Sequence, residues 1–284
     1  MSDPEFKDAG MIATDGGSKQ APKKDSQQPI KIDGVKHIVA IASGKGGVGK
    51  STVSANLAVA LAMRGLKIGL LDADVYGPSQ PRMLGVSGRP SSPDGTTILP
   101  LRNHGVTLMS LGLMMPEDEA LIWRGPMLMG ALQQMLSQVQ WGQLDVLMVD
   151  LPPGTGDVQM TLSQKVSVTG SIIVSTPQDV ALIDARKGID MFKRMNVPRI
   201  GLIENMASFV CDGCQKTHHP FGHGGAKAEA KKQEIPFLGE IPLDLEIRIA
   251  SDGGVPMVIS KPSSPQAKAF LDIADILIAS EVLK

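Results

Sequence analysis

The sequence predicts an α/β fold, a single domain built on a doubly wound, mostly parallel sheet. Short apolar runs recur along the chain at residues 37–42, 67–72, 145–150, 171–176 and 199–204. Strands that are apolar on both faces are typical of a buried parallel sheet. Amphipathic or Ala/Leu-rich stretches separate the runs and predict helices at residues 51–63, 127–139 and 179–195. This alternation of strand and helix indicates the doubly wound arrangement.

Two further elements and a tail complete the predicted organisation. Residues 98–101 and 106–111, joined through Asn103-His-Gly105, predict an inserted hairpin. A last helix is expected over residues 264–283. The polar residues 1–33 predict a disordered tail, so the ordered domain is expected to span residues 34–284.

Composition and charge narrow the classes of function. The 284 residues carry a formal net charge of −1, which does not favour nucleic acid or an anionic membrane surface as a partner. No apolar run is long enough to span a membrane, and the start of the chain lacks the apolar core of a secretory signal. We therefore expect no nucleic acid and no membrane as a partner. The expected compartment is a bacterial-type cytoplasm, with an organelle matrix left open.

A phosphate-binding loop follows the first predicted strand. Residues 44–51 read Gly-Lys-Gly-Gly-Val-Gly-Lys-Ser, and a predicted helix follows them, which is the context this motif requires. Glycines let backbone N–H groups turn inward around phosphate oxygens. Lys50 is placed to reach the β- and γ-phosphates, and the Ser51 hydroxyl to bind Mg²⁺. The alternative is a glycine-rich turn without a ligand. The residues predicted to bind the nucleotide here are Gly44, Lys45, Gly46, Gly47, Val48, Gly49, Lys50, Ser51 and Thr52.

Carboxylates end two other predicted strands. Asp72 and Asp74 lie on the same side of the chain at the end of one strand, and Asp150 ends another. An Asp in the position of Asp150 holds Mg²⁺ through water in many phosphate-loop proteins. Helix capping is the alternative role for such residues. The base is predicted to be adenine, because Asn205 is followed by neither the Lys nor the Asp of a guanine-reading motif.

A pair of cysteines, Cys211 and Cys214, forms a C-x-x-C motif after the fifth predicted strand. Tetrahedral metal sites and iron–sulfur clusters usually need four ligands, and one chain offers two thiolates. Three solutions remain open at this point. Two chains related by a two-fold axis can share one cluster. Alternatively, nearby histidines complete a zinc site, or the pair is a thiol–disulfide couple; the histidines are His218, His219 and His223.

The motifs also carry a family resemblance. Lys45, directly after the first glycine of the loop, resembles the extra lysine of the deviant-Walker ATPases of the Mrp/MinD/ParA group. More specifically, residues 36–283 resemble the Mrp/ApbC/Nubpl family of iron–sulfur cluster carrier ATPases. The strings that carry this resemblance lie at residues 43–51, 72–79, 123–126, 141–145, 150–157, 176–179 and 204–206, together with the C-x-x-C pair.

The resemblance implies roles for particular residues. It implies ATP hydrolysis in which Lys45, Lys50 and Asp74 are catalytic; Lys45 reaches the nucleotide of a partner chain, and Asp74 positions the water. We expect turnover to be slow without a partner, because switching proteins gate hydrolysis through conformation. Asp72 is expected near Mg²⁺. Ser51 and Asp150 are expected to hold the same ion, Ser51 directly and Asp150 through water. Adenine is expected between Asn205 and Pro242. The resemblance further implies a homodimer that bridges a 4Fe–4S cluster through Cys211 and Cys214 and delivers it to apo iron–sulfur proteins.

A second hypothesis comes from the same group of ATPases. A positioning ATPase of the MinD/ParA type acts on membrane or DNA, and it needs an amphipathic tail or a basic patch. Residues 267–278 at the end of the chain are helical in pattern but acidic, so they predict a packing helix. The cysteine pair also has no role in that hypothesis.

Overall fold

One mixed sheet forms the centre of the molecule. The computed structural model of the protein describes residues 31–75, 77–114 and 125–283. In these residues eight strands form the sheet, in the order β10-β7-β6-β1-β5-β2-β4-β3, and all neighbours are parallel except β3 and β4. These strands are β1 Val35–Ser43, β2 Ile68–Asp72, β3 Leu101–Asn103, β4 Val106–Ser110, β5 Leu144–Asp150, β6 Gly170–Ser175, β7 Arg199–Asn205 and β10 Phe237–Ile241. Two short strands, β8 Phe209–Val210 and β9 Thr217–His218, form a separate antiparallel hairpin.

Helices cover both faces of the sheet. The described helices are α1 Lys50–Met63, α2 Gln80–Met83, α3 Gly125–Gln138, α4 Asp157–Lys165, α5 Asp179–Arg194, α6 Gly225–Lys232, α7 Leu245–Asp252, α8 Met257–Ser260 and α9 Pro265–Ala279. Alternate residues of β1 point to opposite faces, so Ile38 and Ala40 pack with α3 and α5 while Val39 and Ile41 pack with α1 and α9. The doubly wound fold predicted from the sequence is therefore confirmed.

The predicted elements match the structure closely, with one displacement. The five apolar runs are β1, β2, β5, β6 and β7, and the first three predicted helices are α1, α3 and α5. The sequence predicts the first strand of the hairpin at residues 98–101, but β3 begins at Leu101. Pro100 has no N–H to donate to a strand partner. Ile98 instead bonds to the end of α3, where its N–H donates to the carbonyl of Gln138 at 2.9 Å.

The last predicted helix is α9, which packs on the core. Its first turn is capped by Ser264, whose Oγ accepts from the N–H of Ala267 at 3.1 Å. The helix ends at Ala279, before the predicted limit, and a short 3₁₀ helix, Glu281–Leu283, follows. One stripe of α9 is buried, as the sequence predicts for a packing helix: Ala267, Phe270, Ile273, Ala274 and Leu277.

The parallel strands bring the polar strand ends to one edge of the sheet. β1 ends at Ser43, β2 at Asp72, β5 at Asp150 and β7 at Asn205. In the register of the sheet, Asp72 lies beside Asp150. Ligand sites of open α/β sheets lie outside the carboxyl ends of the strands, and this edge carries the residues singled out by the sequence.

Candidate functional site

The phosphate loop connects β1 to α1 and depends on glycine at three positions. Gly47 and Gly49 adopt left-handed φ angles of +79° and +82°, which favour glycine. At Gly44 a Cβ atom would collide with the backbone of Asp184 in α5, and at Gly49 it would also collide with the amide of Asn205. The loop is therefore packed tightly against α5 and the end of β7.

Lys50 lies among the predicted catalytic and metal-binding residues. Its Nζ is 2.7 Å from Asp150 Oδ1, 3.2 Å from Ser51 Oγ and 3.9 Å from Asp74 Oδ2. Lys50 is 5% exposed and Asp150 is fully buried. The structure thus brings together four residues that the sequence predicts for one site: Lys50, Ser51, Asp74 and Asp150.

Asp72 anchors the chain that follows β2. Its carboxylate accepts hydrogen bonds from the N–H groups of Ser79 and Gln80, at 3.0 and 3.1 Å, and from Ser110 Oγ at 3.1 Å. Burial, and then the negative charge of Asp150, raises the pKa of Asp72 to about 7. Asp72 thus makes the capping contacts of the alternative role, and its place near Mg²⁺ stays a prediction.

Two polar residues that no motif indicates complete the surroundings of Asp150. Ser54 Oγ donates to Asp150 Oδ1 at 2.8 Å. Gln80 Nε2 donates to Asp150 Oδ2 at 2.8 Å and to the carbonyl of Ser51 at 3.0 Å. Ser54 lies one turn after Lys50 on α1, so helical spacing gives a weak signal for it. Gln80 is buried in the folded chain, and no pattern in the sequence indicates its contact with Asp150.

The donor set around Ser51 fits a magnesium ion. Mg²⁺ prefers oxygen ligands and commonly keeps several waters in nucleotide sites. The Ser51 hydroxyl, the Asp150 carboxylate and the buried carbonyl oxygen of Gln80 supply such oxygens, and the last has no hydrogen-bond partner in the described part of the chain. An orphaned acceptor beside two predicted metal-site residues is what a hydrated ion would satisfy.

The remaining predicted nucleotide residues surround this centre. Asn205 Nδ2 donates to the carbonyl of Val48 at 2.8 Å, so the end of β7 holds the phosphate loop. Pro242 directly follows Ile241, the register partner of Asn205. Both therefore lie at the same edge, and their contact with adenine stays a prediction. The predicted loop residues Gly44, Lys45, Gly49 and Thr52 are half-buried, Val48 is buried, and Gly46 and Gly47 are exposed.

The cysteine pair lies on the hairpin of β8 and β9, close after β7. Cys211 is half-buried and Cys214 is exposed, and both are free thiols. The N–H of Cys211 donates to the carbonyl of Lys216 at 3.0 Å. The backbone N–H of Cys214, followed by that of Gly213 and by the Cys214 side chain, lowers the pKa of the Cys211 thiol. A lowered pKa favours the thiolate, which is the form that binds metal.

The neighbouring histidines do not gather around the cysteines. His219 Nδ1 donates to the carbonyl of Ala207 at 2.9 Å, and its ring centroid is 4.3 Å from that of His223. Throughout residues 31–75, 77–114 and 125–283, no three His, Cys, Asp or Glu side chains are grouped as a metal site would need. The single-chain zinc alternative therefore has no ready site in this part of the chain.

Residues 206–224 form the segment that carries the two cysteines, and Glu204 holds its C-terminal end. This residue of β7 is fully buried. Its carboxylate accepts the N–H groups of Gly224 and Ala226, at 3.1 and 2.6 Å, where α6 begins. The segment of residues 206–224 therefore leaves the sheet beside the phosphate loop and returns to the same strand.

Comparison with known proteins shows which family this chain belongs to. The family model described as "ParA: NUBPL iron-transfer P-loop NTPase" matches residues 34–278. The chain belongs to this family. The protein from Arabidopsis thaliana named "Iron-sulfur protein required for NADH dehydrogenase, mitochondrial" is 52% identical over 250 residues, covering 88% of this chain and 80% of that one. The "Iron-sulfur cluster carrier protein" of Aquifex aeolicus is 52% identical over 258 residues, covering 89% and 71% of the two chains.

Solved structures place this member of the iron-transfer family among the P-loop NTPases. A nucleotide-binding protein from Archaeoglobus fulgidus, in complex with ADP, superposes with a TM-score of 0.72 at 37% identity, covering 84% of this chain and 93% of that one. The cell division ATPase MinD of Pyrococcus furiosus gives a TM-score of 0.62 at 26% identity, covering 85% and 98%. The resemblance and the fold read from the motifs are both confirmed.

Two points of the sequence analysis depend on which residues the structure describes. Trp123 and Arg124, which belong to one of the strings behind the resemblance, lie outside the described residues. Within the described residues, no helix is both long and apolar enough to cross a membrane.

Proposed function

We propose that this protein is an ATPase that holds a labile 4Fe–4S cluster between two copies of the chain and delivers it to apo iron–sulfur proteins. The observation that carries the proposal is the position of the cysteine hairpin. The hairpin begins at Phe209, shortly after β7 ends at Asn205, and the side chain of Asn205 bonds to the phosphate loop. Relatives named as iron–sulfur cluster carriers support the same function. We expect the compartment to be a bacterial-type cytoplasm or an organelle matrix, since one relative is named as mitochondrial and another is bacterial.

Hydrolysis at the nucleotide site is a phosphoryl transfer to water. The water oxygen bonds to the γ-phosphorus while the bond to the β-phosphate oxygen breaks, giving ADP and phosphate. Mg²⁺, when bound, neutralises charge on the β- and γ-oxygens. Lys50 and the Lys45 of a partner chain stabilise the same charge, and Asp74 orients the attacking water. Lys50 lies 3.9 Å from Asp74, so the residues assigned to phosphate and water are already neighbours. Adenine would lie by Asn205 and Pro242.

Ligand counting supports a cluster shared between two chains. A four-iron cluster commonly takes four thiolates, and this chain has two cysteines, Cys211 and Cys214. Both lie on a hairpin whose strands are exposed, including the apolar side chains of Phe209 and Val210, at 37% and 44%. An exposed thiolate pair can meet its copy across a two-fold axis. The same exposure would make the cluster labile, which suits delivery to another protein.

The test is anaerobic reconstitution with iron and sulfide. We expect four iron and four sulfide per two chains, with a dimer of twice the 30.0 kDa chain mass in sedimentation. Cys211→Ala and Cys214→Ala should be equally colourless, because each leaves only two thiolates in a dimer. His218→Ala serves as the matched control on the same hairpin and should keep the cluster.

A different metal content would replace this proposal. One zinc per chain, released by His218→Ala or His223→Ala, with no iron bound under any condition, would establish a structural zinc loop instead.

A further inference from the structure

Gln80, the first residue of α2, is a buried polar side chain that the proposed chemistry does not yet use. It is 0% exposed. Its Nε2 donates to Asp150 Oδ2 at 2.8 Å and to the carbonyl of Ser51 at 3.0 Å. Ser51 and Asp150 are two of the three residues predicted for Mg²⁺, one as a direct ligand and one acting through water. Gln80 is thus hydrogen-bonded to both of these residues of the proposed metal site.

The orientation of the Gln80 amide is determined by its partners. The backbone carbonyl of Ser51 can only accept hydrogen bonds, and so can the carboxylate of Asp150, which is paired with Lys50. A reversed amide would place Gln80 Oε1 against these two acceptor oxygens, which is unfavourable. Nε2 must therefore face Ser51 and Asp150. The other end of the amide, Oε1, is buried and has no hydrogen-bond partner among the described residues. Such an orphaned acceptor calls for a bound water or ion.

The oxygens of Asp150 differ in the room they leave for a ligand. Oδ1 accepts from both Lys50 Nζ, at 2.7 Å, and Ser54 Oγ, at 2.8 Å. Oδ2 accepts from Gln80, which leaves it a free lone pair. A metal-bound water is therefore expected at Oδ2, on the side of the carboxylate that Gln80 orients.

The backbone of Gln80 ties this side chain to Asp72. Its N–H donates to Asp72 Oδ2 at 3.1 Å, beside the N–H of Ser79 at 3.0 Å. The chain between β2 and α2, which carries Asp74, is thus held at the metal site through Gln80 and to the sheet through Asp72.

We propose that Gln80 is a positioning residue for Mg²⁺, an inference that rests on the proposed ATPase function. Its Nε2 holds Ser51 and Asp150 in place, and its Oε1 accepts a hydrogen bond from a water bound to the ion. Outer-shell groups of this kind orient the direct ligands and tune metal affinity.

The experiment compares ADP binding with and without magnesium. Calorimetry gives the dissociation constant of ADP in excess EDTA and in excess MgCl₂, for the wild type and for Gln80→Met, which has a similar volume and no amide. We expect equal affinity in EDTA and a gain from Mg²⁺ that is smaller by about 10-fold or more in the variant. Electron paramagnetic resonance of Mn²⁺ bound with ADP should show the same loss of metal affinity. Should Gln80→Met not fold, Gln80→Asn is expected to give the same result, because it is one methylene too short to span both partners.

Gln159→Met is the matched control. Gln159 is also buried, at 1% exposure, and its Nε2 donates to the carbonyls of Pro152 and Gly154 at 2.7 and 3.0 Å. It should keep the full gain from Mg²⁺. A wild-type gain in Gln80→Met would overturn the assignment, as would an equal loss of ADP affinity in EDTA and in MgCl₂, which marks a packing role. Absence of ADP binding in the wild type would instead refute the nucleotide site itself.

Discussion

At the scale of single residues, Lys50 is both a predicted phosphate-binding group and a structural counter-ion. Asp150, fully buried, has Lys50 Nζ at 2.7 Å from its Oδ1. In Lys50→Met we expect loss of detectable ATP hydrolysis, because charge stabilisation of the transferred phosphate is removed. We also expect the free energy of unfolding to fall by about 3 kcal/mol, because a buried carboxylate loses its partner charge. Phosphate release and urea denaturation measure the two effects.

The double variant Lys50→Met/Asp150→Asn separates these effects. With the buried charge removed, much of the stability should return while hydrolysis stays absent. Wild-type turnover in Lys50→Met would refute the catalytic assignment. Unchanged stability would mean that the ion pair does not contribute in solution.

The sequence predicts the residues of this site unevenly. Lys50, Ser51 and Asp150 belong to local motifs, and strand–helix context places them at one edge of the sheet. Ser54 and Gln80 have no such motif, since their partner, Asp150, is 96 and 70 residues away in the chain. They meet because β5, which ends at Asp150, pairs in parallel with β1, the strand before Ser54, and with β2, the strand before Gln80.

At the scale of elements, Glu204 joins β7 to α6. Its carboxylate accepts two N–H groups from the start of the helix, those of Gly224 and Ala226. A glutamine can accept with its oxygen, but its NH₂ group would face the second donor. In Glu204→Gln we therefore expect the free energy of unfolding to fall by about 1–3 kcal/mol. Amide hydrogen exchange should accelerate through residues 206–226, which include the cysteine hairpin.

Glu240→Gln is the control for this substitution. Glu240 is the register partner of Glu204 on β10, but it is exposed. It should change neither stability nor exchange in the hairpin. Equal exchange rates in Glu204→Gln and the wild type would show that the hairpin is anchored elsewhere.

The strands that the five apolar runs predict are those buried on both faces of the sheet. β1, β2, β5, β6 and β7 form continuous apolar runs because helices cover both sides of the sheet. β10 went unpredicted because Gly239 and the exposed Glu240 interrupt its pattern. β8 and β9 have two exposed residues each and carry no periodic signal.

At the scale of the whole molecule, Lys45 is predicted to act in a neighbouring chain. The variants Lys45→Ala and Lys50→Ala should each be inactive when purified alone. In a mixed dimer, the site that keeps its own Lys50 also receives Lys45 from the partner. Half of the dimers in an equimolar mixture are mixed, and each has one complete site of two. Mixing the chains before assembly should therefore restore about a quarter of wild-type ATP hydrolysis.

The opposite result is equally clear. If Lys45 serves its own chain, each site in the mixed dimer lacks one lysine, and the mixture stays inactive. Sedimentation of the mixture shows in parallel that dimers have formed.

The central position of β1 has a consequence for how the protein is made. β1 is the first of the described strands, yet its partners β5 and β6 come late in the chain: Lys36 meets Asp145 across 109 residues, and Ile38 meets Thr169 across 131. During synthesis this apolar strand leaves the ribosome long before anything can pair with it. Such distant pairing makes folding slow and exposes the strand to aggregation. The phosphate loop is therefore translated long before β5 and β6 and takes its final shape only after they have joined the sheet.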